Sequence, residues 1–328
     1  MAGFLIIAGA SLTQRSQSTL RPAADPLPQD SYVQVFFNQS AASVYTEPYR
    51  GTQRYGDNLE QVLLETIESA TQSIDIAVQE FNLPHLAQAL TAKARSGVEI
   101  RLILENQYSQ PWSQTTPGSD TYARSKYENL LAFADQDGDG QLSAAEALAH
   151  DALLILQAAR LPLLDDTADG SKGSGLMHHK FMVVDGRWVL TGSANWTVSG
   201  IHGDALVPES RGNANALLRI ESPELARLYT DEFNLMWGDG PGGQPDSRFG
   251  SPKPLRPAQR IALPGSAVTV QFSPNRANTP FAQTVNGLIA ATLAQTQHTA
   301  DLALFVFSEQ TIANAIATRH QAGAQVRA

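Results

Sequence analysis

The sequence predicts an α/β fold in which a mixed β-sheet is flanked by helices on both faces. It also predicts a tandem pseudo-repeat whose second half is incomplete. Three observations support this prediction. Strand-like and helix-like runs alternate along the chain, 42% of the 328 residues are hydrophobic, and an early strand–helix–strand order returns near the C-terminus. This composition is sufficient for a large core, and the alternation is typical of α/β proteins.

The first half contains five consecutive elements with clear periodicity. We predict strands at 32–38, 73–81 and 98–106, and amphipathic helices at 58–70 and 86–97. Strands that are separated by helices need crossover connections, which favours a parallel or mixed sheet.

The same order recurs near the end of the chain, with a strand predicted at 268–274 and a helix at 281–296. Residues 300–328 then align with the first half without a gap, so that Asp75 pairs with Asp301 and Arg101 with Arg327. Two alanine-rich helices could resemble each other by chance, but the matching order of elements favours a duplication. The copy stops within a predicted strand, so we expect the second half to be truncated.

These observations divide the chain into four regions. They are an N-terminal tail at 1–30, a first domain at 31–237 with an insertion at about 120–160, a Gly/Pro-rich linker at 238–265, and the start of a second domain at 266–328. The tail is either a shortened export signal or a disordered segment, because its apolar run ends in small residues but lacks a basic start. We therefore expect a secreted or periplasmic protein, or otherwise a cytoplasmic one.

Charge and composition exclude several classes of site. The net charge of −9 argues against a generally basic nucleic-acid-binding surface, although a local basic channel is compatible with it. The chain has no cysteine, which excludes disulfides, thiolate metal sites and a cysteine nucleophile. After residue 10 we expect no transmembrane segment.

A candidate site lies in the segment 177–197, MHHKFMVVDGRWVLTGSANWT. It reads as a β-hairpin that turns at Asp185 and Gly186. His178 and Lys180 are two residues apart, so on a strand both face the same way, while His179 points to the opposite side and into packing.

The returning strand of this hairpin brings Ser193 and Asn195 beside His178 and Lys180. This group suits a phosphate ester, because Lys180 and Asn195 can hold oxygens while a neutral imidazole attacks phosphorus. A metal site is disfavoured, since lysine repels cations and no nearby carboxylate completes a ligand set. A lone His178 would be an ordinary surface histidine; the whole spacing favours chemistry.

The pattern His178-x-Lys180-x4-Asp185-x6-Gly192-Ser193-x-Asn195 resembles the signature of the phospholipase D superfamily, the HKD phosphodiesterases. Residues 213–237 also resemble that family's next strand and helix. The resemblance implies a phospholipase D-like sheet and a two-step reaction through a phosphohistidine, with a second histidine as the acid.

The same resemblance assigns roles to individual residues. His178 is the nucleophile or its acid/base partner, and Lys180, Ser193 and Asn195 bind the phosphate. Asp185 belongs to the catalytic signature, where it orients and supports rather than touches the substrate; a plain turn aspartate is the alternative.

Two features depart from the family pattern. Many relatives carry an acidic residue that orients the histidine, and here Asn215 takes this supporting position. The family also needs two signatures across one site, whereas this chain has one. We therefore expect the chain alone to be weakly active or inactive, and to need a second HKD half from a missing C-terminal part or from a homodimer partner.

The insertion contains an EF-hand-like loop, DQDGDGQLSAAE, at 135–146. Its pattern predicts a Ca²⁺ site with a structural or regulatory role, while the chemistry itself requires no cofactor. An acidic surface turn is the alternative. Side-chain oxygens of four residues, the Gln141 carbonyl and a Ser143-bound water would be the ligands; the four residues are Asp135, Asp137, Asp139 and Glu146.

The signature recognises only a phosphodiester, so the substrate stays open between two classes. We favour a phospholipid head group and hydrolysis of the phospholipase D type over a nuclease acting on DNA or RNA. A third alternative is a non-catalytic module that binds anionic ligands with calcium. Candidates for a substrate-binding rim, each also compatible with ordinary packing, are Tyr108, Trp112, Tyr122 and Trp196.

Overall fold

A computed structural model describes residues 20–207 and 209–328. The predicted export segment falls largely in residues 1–19, which lie outside the described residues, so the localisation stays a prediction. In the described ranges, no helix combines the length and the apolar character that crossing a membrane requires.

Seven strands form the main sheet. They are β1 (Val33–Phe37), β4 (Ser73–Val78), β5 (Glu99–Leu104), β6 (Leu163–Asp165), β7 (Lys180–Val184), β8 (Trp188–Gly192) and β9 (Ala216–Glu221). Their order across the sheet is β1-β9-β8-β7-β4-β5-β6. The β4–β5 and β5–β6 pairs are parallel and the other pairs are antiparallel, which confirms the predicted mixed sheet.

Helices cover both faces of this sheet, as predicted. One face carries α1 (Leu59–Ser69), α2 (Pro84–Arg95) and α5 (Ala152–Ala158), and the other carries α7 (Pro223–Trp237). The alternation along β4 explains the two cores, since Ile74, Ile76 and Val78 pack towards α1 and α2 while Ala77 packs towards α7.

A buried ion pair joins β4 to β5 beneath α7. The Arg101 guanidinium donates to both carboxylate oxygens of Asp75, from Nε at 2.7 Å and from Nη2 at 2.8 Å. The rings of Phe233 and Trp237 cover the guanidinium, at 4.7 and 5.6 Å from its carbon. The charge of Arg101 is therefore both paired and shielded from water.

The remaining elements of the first domain surround the sheet. They are a small hairpin of β2 (Val44–Thr46) and β3 (Gln53–Tyr55), and the helices α3 (Thr121–Ala134), α4 (Ala144–His150) and α6 (Val198–His202). The helix predicted to leave the calcium loop divides into α4 and α5. The division lies at Asp151, whose carboxylate accepts hydrogen bonds from the amides of Leu153 and Leu154 and so begins a new helix.

The predicted linker at 238–265 needs correction. Strand β10 (Gln259–Leu263) lies within it and pairs with β11 (Ser266–Val270), so the boundary predicted at 266 falls inside a hairpin. Phe249 and Ile261 are buried in the core beside α7. Part of this segment therefore packs onto the first domain, because its apolar side chains complete that domain's core.

The C-terminal region repeats the order of the first half in a reduced form. It comprises a short 3-10 turn (Phe281–Gln283), α8 (Val285–Ala294), β12 (Thr299–Asp301), α9 (Gln310–Gln321) and β13 (Gln325–Arg327). Strands β12 and β13 are parallel, as β4 and β5 are. The strand aligned with β4 is only three residues long, and residues 304–307 after it are exposed.

Candidate active site

The residues of the predicted cluster lie at one end of two central strands of the main sheet, where β7 begins and β8 ends. The two strands make the expected hairpin, with positive φ angles of 52° at Asp185 and 58° at Gly186 in the turn. Phe181 pairs with Thr191. Lys180 thus lies opposite the end of β8, close to the residues that follow Gly192.

Hydrogen bonds link the phosphate-binding candidates to one another. Lys180 Nζ donates to Gln79 Oε1 at 3.2 Å and to the His178 carbonyl at 2.9 Å. Asn195 Nδ2 donates to the same Gln79 oxygen at 3.3 Å. The structure therefore brings Lys180 and Asn195 together through Gln79, a residue that the sequence did not identify. Its only signal is its position directly after the buried strand β4.

The electrostatics suit a nucleophilic histidine next to a cation. Partial burial of the ring, together with the charges of Lys180 and His179, lowers the pKa of His178. The side chain remains accessible to solvent, and its imidazole is neutral at neutral pH. Burial lowers the pKa of Lys180 to about 8, against the opposing effect of Glu80, so its ammonium is mostly charged at neutral pH. A neutral imidazole can attack phosphorus while an adjacent ammonium stabilises anionic oxygens.

His179 points to the opposite face of β7, as expected for a residue between His178 and Lys180. Its Nε2 lies 2.8 Å from Glu232 Oε1, and its ring packs edge-on against Phe181 with 5.2 Å between centroids. Burial, together with nearby Lys253, lowers the pKa of His179 to about 3. The ring is therefore neutral and serves packing.

Asn215 contacts Ser193 rather than the histidine. The Ser193 hydroxyl donates to Asn215 Oδ1 at 2.9 Å, and Asn215 Nδ2 donates to the Gly200 carbonyl at 3.2 Å. The residue thus supports the cluster through the serine. This differs from the expected position beside the imidazole.

Asp185 lies in the hairpin turn, as predicted, and away from the phosphate-binding candidates. Asp185 lies at the far end of β7, five residues and roughly 16 Å from Lys180. Its carboxylate accepts four hydrogen bonds of 2.8 to 2.9 Å, from Thr71 N and Oγ1, Gln72 N and Ser73 N. These bonds hold its pKa below the usual value. Asp185 thus fixes the start of β4, a role that depends on residues more than 100 positions away.

A comparison with known protein families identifies the superfamily of this chain. The family model of the cardiolipin synthase PLD-like domain matches residues 63–237, more than half of the chain. The chain belongs to the phospholipase D superfamily.

Curated relatives agree with this assignment. The phospholipase D-like chain is 30% identical over 176 residues to the mitochondrial cardiolipin hydrolase of Xenopus laevis, an alignment that covers 53% of this chain and 59% of the relative. The human protein of the same name is 24% identical over 183 residues, covering 56% of this chain and 52% of the relative. The chain thus spans little more than half the length of these relatives.

Solved structures of the family are more distant. Nuc, a phospholipase D family member from Salmonella typhimurium, aligns with a TM-score of 0.38 and 20% identity, covering 65% of this chain and 97% of that chain. NucT from Helicobacter pylori aligns with a TM-score of 0.34 and 16% identity, covering 64% of this chain and 99% of that chain.

A cavity of about 400 Å³ lies beyond the ends of β4 and β5, and Glu80, the chain neighbour of Gln79, lines it. The inserted segment and the residues that follow β4 and β5 share its wall; the relevant lining residues are Glu80, Tyr108, Trp112, Tyr122, Lys126 and Tyr127. Lys126 Nζ lies 2.7 Å from Glu80 Oε1 and 4.0 Å from the centroid of the Tyr108 ring. Three of the four predicted rim residues line this cavity. The fourth, Trp196, is buried against Phe81, so its prediction as a rim residue is wrong.

The EF-hand-like loop lies between α3 and α4 with its acidic residues close together. Carboxylate oxygens of Asp135, Asp137 and Asp139 lie within 4.8 Å of one another, and Gly140 has the positive φ of 78° that the sharp bend requires. These hard oxygen donors fit calcium.

All four acidic residues of this loop accept hydrogen bonds from the protein, and the Asp135 carboxylate accepts from the amides of Gly138 and Gly140 at 2.8 Å. Glu146 accepts from Gln136 N at 2.7 Å and from the Ser143 hydroxyl at 2.7 Å, and these bonds lower its pKa to about 2. The Gln141 amide donates to Asp139 Oδ1 at 2.7 Å. Three of the proposed ligands are thus assembled, while Glu146 caps α4.

Proposed function

We propose that this protein is a phosphodiesterase of the phospholipase D type that hydrolyses the head-group ester of a phospholipid through a phosphohistidine. The observation that carries the proposal lies where β7 begins and β8 ends: Gln79 joins the Lys180 ammonium to the Asn195 amide, and His178, two residues before Lys180, is exposed. The family assignment and the cardiolipin hydrolase relatives support a phosphodiester as the substrate.

In the proposed first step, a ring nitrogen of neutral His178 attacks phosphorus. The bond from phosphorus to the head-group oxygen breaks, and that oxygen takes a proton from an acid. Lys180 and Asn195 hold the non-bridging oxygens as their charge increases. In the second step, water attacks phosphorus and returns a proton to the group that acted as the acid, the bond between nitrogen and phosphorus breaks, and His178 is regenerated.

The acid in this scheme is a second imidazole. His179 and His202 are engaged elsewhere, by Glu232 at 2.8 Å and by Glu60 at 2.7 Å. We therefore propose that a second HKD signature, from a partner copy or from further chain, supplies the acid. A dependence of the specific activity on protein concentration would support a partner copy.

The cavity that Glu80 lines is the candidate site for the head group. Its lining combines aromatic rings with the carboxylates of Glu80 and Asp120. The ammonium of Lys126 already lies against Glu80 and the face of Tyr108. Lys126 therefore neutralises Glu80 and would repel a substrate ammonium, so the cavity gives no preference for a cationic head group.

We further propose that the 135–146 loop binds calcium in a structural role. Asp135, Asp137 and Asp139 would hold the ion, and Glu146 would join them on exchanging its hydrogen bonds. The loop follows α3, the helix that carries Lys126 into the cavity wall. Addition of about 1 mM calcium should raise the thermal midpoint of the wild type and leave that of Asp137→Asn unchanged.

The test of the activity uses short-chain phospholipids that differ only in the head group, with a radiolabelled phosphatidyl moiety. The wild type should release the head-group alcohol and form a labelled intermediate that is stable to base and labile to acid, as a phosphoramidate is. The variant His178→Ala should give neither. Cleavage of single-stranded DNA without lipid turnover would replace the proposal with a nuclease, and lipid binding without turnover would replace it with a binding module.

A further inference from the structure

We propose that Lys253 and Arg256 are positioning residues for the phosphodiesterase site, acting on strand β7 through Glu232 and His179. Both lie beyond residues 63–237, the part that matches the family. The inference rests on the proposed function, since it concerns the geometry of the same site. It assigns a role in the reaction to the segment predicted as a linker.

The route from the two cations to the site passes through His179, which lies between His178 and Lys180 in the chain. Its side chain points away from them and contacts Glu232 Oε1 at 2.8 Å. Its backbone carbonyl, in contrast, accepts a hydrogen bond of 3.0 Å from the Gln79 amide. Gln79 is the residue whose side chain holds both Lys180 and Asn195. The position of His179 therefore determines where Gln79 and its two partners lie.

Glu232 is fully buried and is held by the segment after the family-matched domain. Lys253 Nζ lies 2.5 Å from Glu232 Oε1 and 2.9 Å from the Ser273 carbonyl, while Arg256 pairs with Glu232 Oε2. The ring of Phe272 packs against the Arg256 guanidinium, 4.9 Å from its carbon, and edge-on to His179 at 6.1 Å. The segment thus encloses the back of β7.

Lys253 and Arg256 both hold the buried carboxylate of Glu232. Glu232 carries one negative charge at a site without solvent access, and the two cations contact opposite oxygens. A protonated His179 would add a third cation, so the neutral ring donates its Nε2–H to the carboxylate. Loss of Arg256 frees Oε2, and loss of Lys253 leaves Oε1 with His179 alone; in either case the carboxylate can turn and shift the His179 ring.

A displacement of the catalytic strand by a fraction of an ångström affects turnover more than binding. Attack on phosphorus requires the reacting atoms to be aligned, and small misplacements are costly. Binding of the phosphate, in contrast, depends largely on the charge of Lys180, which a small displacement leaves in place. We therefore expect Lys253→Met and Arg256→Met each to lower kcat on the order of tenfold with little change in KM.

A double-mutant cycle tests whether Lys253 acts on the site through His179. In the His179→Asn background, Lys253→Met should lower kcat by less than about twofold, because the link is already broken. Lys253→Arg, which keeps the charge, should retain most of the wild-type kcat. The matched control is Arg227→Met on the exposed side of α7, where Arg227 pairs with Asp231; it should leave kcat unchanged.

Two results would overturn the inference. One is an unchanged kcat in folded Lys253→Met. The other is a loss of kcat on Lys253→Met that is as large in the His179→Asn background as in the wild type. Should Lys253→Met fail to fold, Phe272→Leu serves instead, since it keeps an apolar side chain and removes the ring beside His179. It should lower kcat on the order of threefold, and an unchanged kcat would also contradict the inference. Absence of any diester hydrolysis by the wild type, also at protein concentrations at which two copies associate, would refute the proposed function itself.

Discussion

Two regions of the molecule contain the same strand–helix–strand unit in different surroundings. In β4–α2–β5, Arg101 Nε and Nη2 lie 2.7 and 2.8 Å from the oxygens of Asp75. In β12–α9–β13, the corresponding distances between Arg327 and Asp301 are 2.6 and 2.7 Å. The first carboxylate side chain is 9% exposed and the second is 53% exposed. The local geometry is therefore the same, and only the burial differs.

The difference arises from distant elements. Strand β4 pairs with β5 on one side and with β7 on the other, and α7 covers its ion pair. In the part of the chain that the structure describes, β12 pairs with β13 alone. The same strand–helix–strand order thus reproduces an ion pair, but burial and chemistry depend on the neighbouring strands.

The largest expected effect concerns the cluster, which adjoins the first unit only. His178→Ala should lower kcat/KM by at least about 10³-fold, because no other group at this edge replaces the nucleophile. Activity on a labelled diester measures this loss. His298→Ala, at an exposed histidine beside β12, is the matched control and should retain full activity. A substantial activity of the His178 variant would contradict the assignment.

The two ion pairs should differ strongly in their contribution to stability. Asp75→Ala leaves a mostly buried guanidinium without its partner and should lower the free energy of unfolding by about 3 kcal/mol. Asp301→Ala removes an exposed pair and should cause no measurable change. Urea unfolding of both variants makes the comparison. Equal losses would mean that the second unit is buried as deeply as the first.

The pH dependence of kcat/KM should reflect the burial of Lys180, which lies on β7 beside the first unit. Burial lowers the pKa of Lys180 to about 8, whereas the exposed Asp301 raises the pKa of Arg327. The charge of Lys180 is thus present below pH 8 and lost above it, so kcat/KM should fall above pH 8 by up to about tenfold per unit. Lys180→Arg keeps its charge at high pH and should remove this decline up to about pH 10. A decline that persists in this variant would assign the titration to another group.

The smallest effect is expected at the exposed residues that follow β12. Leu304→Ser and Phe305→Ser should each change the free energy of unfolding by less than about 0.5 kcal/mol, because both side chains are exposed. Urea unfolding again provides the measurement. A loss of several times this size for Phe305→Ser would show that these residues contact another surface in solution.

Much of the fold followed from local patterns. The hairpin at Asp185 and Gly186, the main strands of the first half and its two amphipathic helices all lie within a few residues of their predicted positions. The opposite orientations of His179 and Lys180 also followed from the alternation along a strand. The break at Asp151 and the strand at Gln259 were missed because they depend on a single cap and on packing against α7.

The sequence by itself determined which chemical groups are available at the cluster and how they are spaced, because neighbours along a strand keep a fixed geometry. Only the tertiary structure decided that Gln79 joins Lys180 to Asn195, that Asp185 binds the start of β4, and that Glu232 contacts His179 on the face away from the cluster. The reason is physical: these contacts join residues 53 to 116 positions apart. Such contacts exist only once the strands have paired and the buried charges have found their partners.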